Sequence, residues 1–126
     1  MDVLNLEKEV ARSASLHAEY IQRWTVARKD LSYLSREMRK LRLVKDDFYA
    51  NGPTKEQGRG NYPSGVILKA KVPLYVDADA EMLELQGRID NLQIMVDALE
   101  HMVRNLSYRR NLIDSIMNIR KWEGGA

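Results

Sequence analysis
At 126 residues, with 20 Lys and Arg against 18 Asp and Glu, the chain carries a formal charge of +2 and offers one domain's worth of material or less. Hydrophobic residues make up 44% and charged residues 30%, the composition of an ordered protein rather than of a solvating tail. Cysteine is absent, which excludes disulfides, thiolate metal centres and a cysteine nucleophile. The opening run has acid where a signal peptide needs base, and no apolar stretch approaches a membrane span. An intracellular protein with no membrane partner is expected.

From Leu4 to Tyr49 there is no Gly or Pro, and Trp24, Ala27, Leu31, Leu34, Met38, Leu41 and Phe48 recur by threes and fours. This predicts a first helix over 4–49 with a heptad seam, interrupted only by Lys45. Asn51-Gly52-Pro53 should stop it, a left-handed cap followed by a residue that cannot continue the helix. Residues 50–65 hold four glycines and two prolines and read as a loop.

Between 66 and 76 the period changes. Val66, Leu68, Ala70, Val72, Leu74 and Val76 alternate with Lys69, Lys71 and Tyr75, which predicts a strand or arm limited to an edge by Pro73. Such a strand needs a partner, in the loop or on another subunit. Asp77 and Asp79 are candidate N-caps of a second helix over 78–122. Its seam runs through Met82, Leu85, Ile89, Leu92, Val96, Leu99, Val103, Leu106, Ile113 and Met117. A second stripe of Met95, Met102 and Ile116, with Ile94, Leu112 and Ile119 nearby, makes the apolar face wider than one helix can cover.

Two helices of roughly 45 residues are each about 65–70 Å long at 1.5 Å per residue. The expected architecture is therefore mainly α: a helical hairpin joined by a Gly/Pro-rich loop and a short strand, assembled as a homo-oligomer. Met95, Met102, Leu112, Ile113, Ile116, Ile119 and Trp122 are the candidate oligomerisation residues.

Charge is segregated along these rods. Arg23 to Lys45 holds eight bases against Asp30 and Glu37, a local surplus of six; Asp77 to Glu100 holds seven acids against Arg88. A solvated helix face usually mixes its signs, whereas Arg36, Arg39, Lys40, Arg42 and Lys45 face one acid. Repeated around an oligomer, that stripe would attract a polyanion. Single-strand binding also uses aromatic platforms. Phe48 falls on the seam and reads as core. Tyr49, and Tyr62 in the loop beside Lys55 and Arg59, fit either packing or stacking. Lys45 on the seam is either a register-setting, snorkelling lysine or a cation aimed into a groove.

Enzyme chemistry lacks an inventory. His17 and His101 stand on different helices without a nucleophile or ligand spacing, and Gly58-Arg59-Gly60-Asn61-Tyr62-Pro63-Ser64-Gly65 lacks the Gly-Lys-Ser/Thr of a phosphate loop. No catalytic residue, metal or cofactor is assigned.

Several of these residues together resemble the UvsY family of recombination mediators of T-even-like phages. They are Ile113-x-x-Ile116-x-x-Ile119-Arg120-x-Trp122-Glu123-x-Gly125 preceded by Leu106 and Arg109, then Arg23-Trp24, Asp47-Phe48-Tyr49 before Asn51-Gly52, and Val76-Asp77. The resemblance covers about residues 14–126, with the family's amino-terminal helical segment shortened. The family's run into the aromatic pair carries a Lys and an Arg two apart that bind DNA. Lys45 falls at the second place, and Leu43 at the first with Arg42 adjacent.

The resemblance implies a non-enzymatic ring, hexameric or heptameric, that binds single-stranded DNA in the cytoplasm of the infected host. It implies two protein partners, the phage single-strand binding protein and a RecA-like recombinase of the UvsX type, which the ring loads. DNA contact is expected from Arg36, Arg39, Lys40, Arg42, Lys45, Tyr49, Lys55, Arg59 and Tyr62. The competing readings are a coiled-coil adaptor or scaffold, and a small-terminase-like ring for duplex DNA. The latter is disfavoured because no compact helix-turn-helix is visible.

Overall fold
A computed structural model describes residues 3–53, 58, 62, 63 and 65–125. Its elements are α1 (Val3–Asn51), a 3-10 turn (Lys69–Lys71), α2 (Val72–Ala78) and α3 (Ala80–Gly125). The uninterrupted run without Gly or Pro produces the 49 residues of α1. It stops where expected: Gly52 has φ +84°, a left-handed conformation that a Cβ would strain. The Asn51 side chain donates back to Asp47 at 2.7 Å in the last turn.

The strand expected over 66–76 is not formed, and the described residues contain no strand. Residues 66–68 are irregular, with Leu68 extended. Lys71 N–H then bonds Leu68 C=O at 2.8 Å, and the chain enters α2 with Pro73 in its first turn. Proline suits that position because its missing N–H would have had no intrahelical acceptor there. Residues 72 and 76 satisfy a period of two, and equally the i, i+4 spacing of a helix. Burial decides between them: Val72 and Val76 are buried, while Val66, Leu68 and Leu74 of the supposed strand face are exposed. From Leu68 onward the backbone bonds are made locally, so that stretch needs no strand partner.

Asp79 separates α2 from α3. Its backbone is extended, its N–H closes α2 on Val76 C=O at 3.2 Å, and its C=O accepts Leu83 N–H at 2.9 Å. Its Oδ1 accepts the N–H groups of Glu81 at 2.9 Å and Met82 at 3.3 Å, an N-cap in full. Asp77, the other candidate cap, lies inside α2.

The chain forms two compact units, each with its own packing. One comprises residues 1–29 and 94–126; the other runs from Asp30 to Gln93. In the first, Leu6, Ser13 and Ala27 of α1 and Val96 and Leu106 of α3 are buried, and His17 Nε2 pairs with Ser107 Oγ at 2.8 Å. In the second, Phe48, Tyr49, Val72, Val76 and Met82 form a core, against which Met38, Leu41, Tyr62 and Ile67 pack. Among the described residues no helix is long and apolar enough to cross a membrane.

Candidate nucleic-acid interface
Within the 30–93 unit, the end of α1 is organised around one buried carboxylate. Phe48 and Tyr49 are consecutive, yet both are buried, because Val72 and Val76 of α2 join them in one cluster and Tyr62 and Ile67 pack against it. The Phe48 ring meets Tyr49 and Tyr62 edge-on, with centroids 5.0 and 5.4 Å apart, while Tyr49 stacks between Tyr62 at 6.4 Å and Tyr75 at 5.8 Å. The Tyr49 hydroxyl donates to Asp79 Oδ2 at 2.6 Å. Lys45 Nζ reaches the same oxygen at 3.3 Å and Glu81 Oε1 at 3.3 Å, and it lies 5.6 Å from the centroid of the Phe48 ring.

An isolated carboxylate is expensive to bury, and Asp79 is 4% exposed. Burial opposes its ionisation. The Tyr49 hydroxyl, the Met82 N–H and the Lys45 ammonium outweigh that effect and hold the carboxyl below its usual range. The reciprocal effect falls on Tyr49. Burial first, then the hydrogen bond to Asp79 and the charges of Asp79 and Glu81, push its phenol up to about 12.

This geometry explains the interruption in the heptad seam. Lys45 is a structural cation whose side chain is 14% exposed, held by a buried acid and an exposed one. Residue spacing marks Asp79 as a cap and Lys45 as an oddity without connecting them. A seam lysine and a cap aspartate on the next long helix were the available signal.

The remaining cations of the stripe are exposed. Arg36 and Arg39 have no ion-pair partner among the described residues. Lys40 pairs with Glu37 at 3.4 Å, and Arg42 bonds Asp77 at 3.1 Å. Exposed pairs of this kind are worth about 1 kcal/mol or less, so a phosphate can compete for either cation. Tyr49 is enclosed and Tyr62 half-buried, and both rings belong to the aromatic cluster. Lys55 and Arg59 lie outside the described residues.

The candidate oligomerisation residues lie in the other unit and are mostly open. Met95, Met102, Leu112, Ile116, Ile119 and Trp122 are exposed, Trp122 at 81%, and Ile113 is half-buried. Leu112, Ile113 and Ile116 also line a groove of about 750 Å³ with Leu6, Arg12 and Arg109.

The described residues thus combine a cation-rich face on α1 with exposed apolar side chains on α3, and they hold no cluster of three or more His, Asp or Glu suited to a metal. The chain belongs to the UvsY family, "Recombination, repair and ssDNA binding protein UvsY", whose model matches residues 1–126. That match takes in the amino-terminal dozen residues outside the resemblance noted from the sequence.

The fold is that of the bacteriophage T4 recombination mediator protein UvsY. One crystal form gives a TM-score of 0.75 at 15% identity, covering 98% of this chain and 88% of that one. A second gives 0.75 at 17%, covering 98% and 90%. No curated protein matches the sequence.

Proposed function
We propose that the chain is a non-enzymatic recombination mediator. It binds single-stranded DNA as a ring-shaped homo-oligomer of helical hairpins and loads a RecA-like recombinase of the UvsX type onto strands covered by phage single-strand binding protein. It does so in the cytoplasm of the infected bacterium. The observation that carries this reading, beside family membership, is the exposed run Arg36, Arg39, Lys40 and Arg42 in which two arginines lack ion-pair partners among the described residues. Many modest phosphate contacts repeated over subunits give avidity without sequence readout.

In this reading Arg36, Arg39, Lys40 and Arg42 make the outer contacts. Lys45 sits at the inner edge, where a phosphate would exchange for Glu81 and leave Asp79 in place. Lys55, Arg59 and Tyr62 extend the path through the loop, Tyr49 supports it from beneath, and Met95 to Trp122 build the ring.

The test is competition between single-stranded and duplex oligonucleotides for protein of known assembled mass, followed by recombinase loading on covered strands. Preference for single strands with little sequence dependence supports the mediator. An oligomer indifferent to DNA at low salt would leave the coiled-coil adaptor as the better account, and preference for duplex would favour the terminase-like ring.

A further inference from the structure
The aromatic residues that the sequence pairs with the basic stripe are turned into the core, which leaves the question of what the bases would stack on. Five aromatic side chains are described between Asp30 and Gln93: Tyr33, Phe48, Tyr49, Tyr62 and Tyr75. Phe48 and Tyr49 are buried, Tyr62 is half-buried, and Tyr75 stacks on Tyr49. Tyr33 alone has a ring that is both exposed, at 56%, and without a ring partner among the described residues.

A single exposed tyrosine on a helix is ordinary. Its neighbours make this one informative. Arg36 follows at i+3, Lys40 at i+7 and Leu43 at i+10, so the four share the outward face of α1 opposite the seam. Arg36, Lys40 and Leu43 are all exposed, Leu43 conspicuously so at 71%. Acids border the row: Asp30, exposed; Glu37, engaged by Lys40; and, one turn beyond Leu43, Asp47, exposed and accepting from the Asn51 side chain. The row spans about 15 Å of helix at 1.5 Å per residue. It sets two cations between an exposed ring and an exposed leucine, and a ring face beside cations is the combination that takes a base by stacking and its phosphates by charge.

Resting on the mediator reading, we propose that Tyr33 is the base-stacking platform of the DNA-binding face, with Arg36 and Lys40, one and two turns further along α1, holding adjacent phosphates and Leu43 covering the sugar–base edge beyond. The occupant is an unpaired nucleobase, because a paired and stacked base offers no free face to a helix-borne ring.

The experiment compares binding of oligothymidylate with that of an abasic strand of equal length, for wild type, Tyr33→Ala and Tyr33→Phe, with assembled mass followed by light scattering. Wild type is expected to hold the thymidylate at least about fivefold more tightly than the abasic strand. Tyr33→Ala should lose most of that preference with its mass and salt dependence unchanged, and Tyr33→Phe should keep it. If wild type binds both strands equally, or Tyr33→Ala discriminates as wild type does, the platform is overturned while the mediator reading stands. A smaller assembly in Tyr33→Ala would likewise overturn it and assign Tyr33 to a subunit contact. Wild type that binds neither strand would overturn both readings.

Discussion

Around Asp79, groups that would be costly if left alone satisfy one another within a single chain: a buried carboxylate, a seam lysine, a phenol and three aromatic rings. From Met95 to Trp122 the opposite holds, and α3 turns methionine, leucine, isoleucine and tryptophan side chains to solvent. The first region is satisfied by intrachain contacts and lies at the end of the helix that carries the basic face. The second leaves its apolar side chains open, and in the proposed ring further copies of the chain would cover them. The difference separates what each part of a mediator must do. DNA contact needs a rigid, charged scaffold, whereas assembly needs an apolar face kept free of intrachain partners.

The largest expected effect breaks the open side of the comparison. Ile116→Asp or Ile119→Asp should abolish assembly, read as a fall in mass by light scattering, while helix content is retained. DNA affinity should fall with it through lost avidity. A variant of unchanged mass would show that the interface lies elsewhere.

The closed side breaks at its centre. Asp79→Ala removes the α3 cap and leaves Lys45 and the Tyr49 hydroxyl without their shared acceptor, so a loss of about 3–5 kcal/mol is expected from denaturant unfolding. Lys45→Ala should be destabilising for the same reason, because it strips the buried acid of its cation. Stability unaltered in both variants would mean that the cluster is ornamental. The carboxyl of Asp79 is depressed in the folded state, so its contribution is present above the ordinary carboxylate range and is lost as pH falls through the depressed value.

Tyr49→Phe sharpens the same region with a smaller change, a loss of about 1–2 kcal/mol at neutral pH. It also carries a pH signature. The folded-state value of about 12 lies above the ordinary 10.0, so the neutral phenol stabilises the fold fully below pH 10 and ceases to do so as pH rises through 12. Wild type should therefore lose up to roughly 2–3 kcal/mol across that window, and Tyr49→Phe should lack that component. Parallel alkaline melting of the two proteins would contradict the assignment.

Much of the architecture was legible in residue spacing, because long helices announce themselves by period and by the absence of Gly and Pro. The stop at Gly52 and the cap at Asp79 were legible for the same local reasons. The segment from Val66 to Val76 was not, since alternation and i, i+4 spacing coincide at Val72 and Val76. Only Pro73, which suits a first helical turn, favoured the helix. The role of Lys45 depended on an acid 34 positions away in sequence, a pairing that no local pattern encodes. Tyr49 and Tyr62 were ambiguous because an aromatic beside cations looks the same in sequence whether it faces in or out. Tyr33 did carry a signal, its i+3 and i+7 spacing to Arg36 and Lys40, but it stands off the seam that guided the reading.

The measurement that tests the central claim most directly is the salt dependence of single-strand binding for wild type and for Arg36→Ala with Lys40→Ala, both held at the same assembled mass. The expected result is a steep log–log slope for wild type, made shallower in the double variant by about 0.7 for each phosphate contact removed, with affinity reduced on every sequence tried. An identical slope and affinity in the two proteins would contradict the claim that this face of α1 carries the DNA.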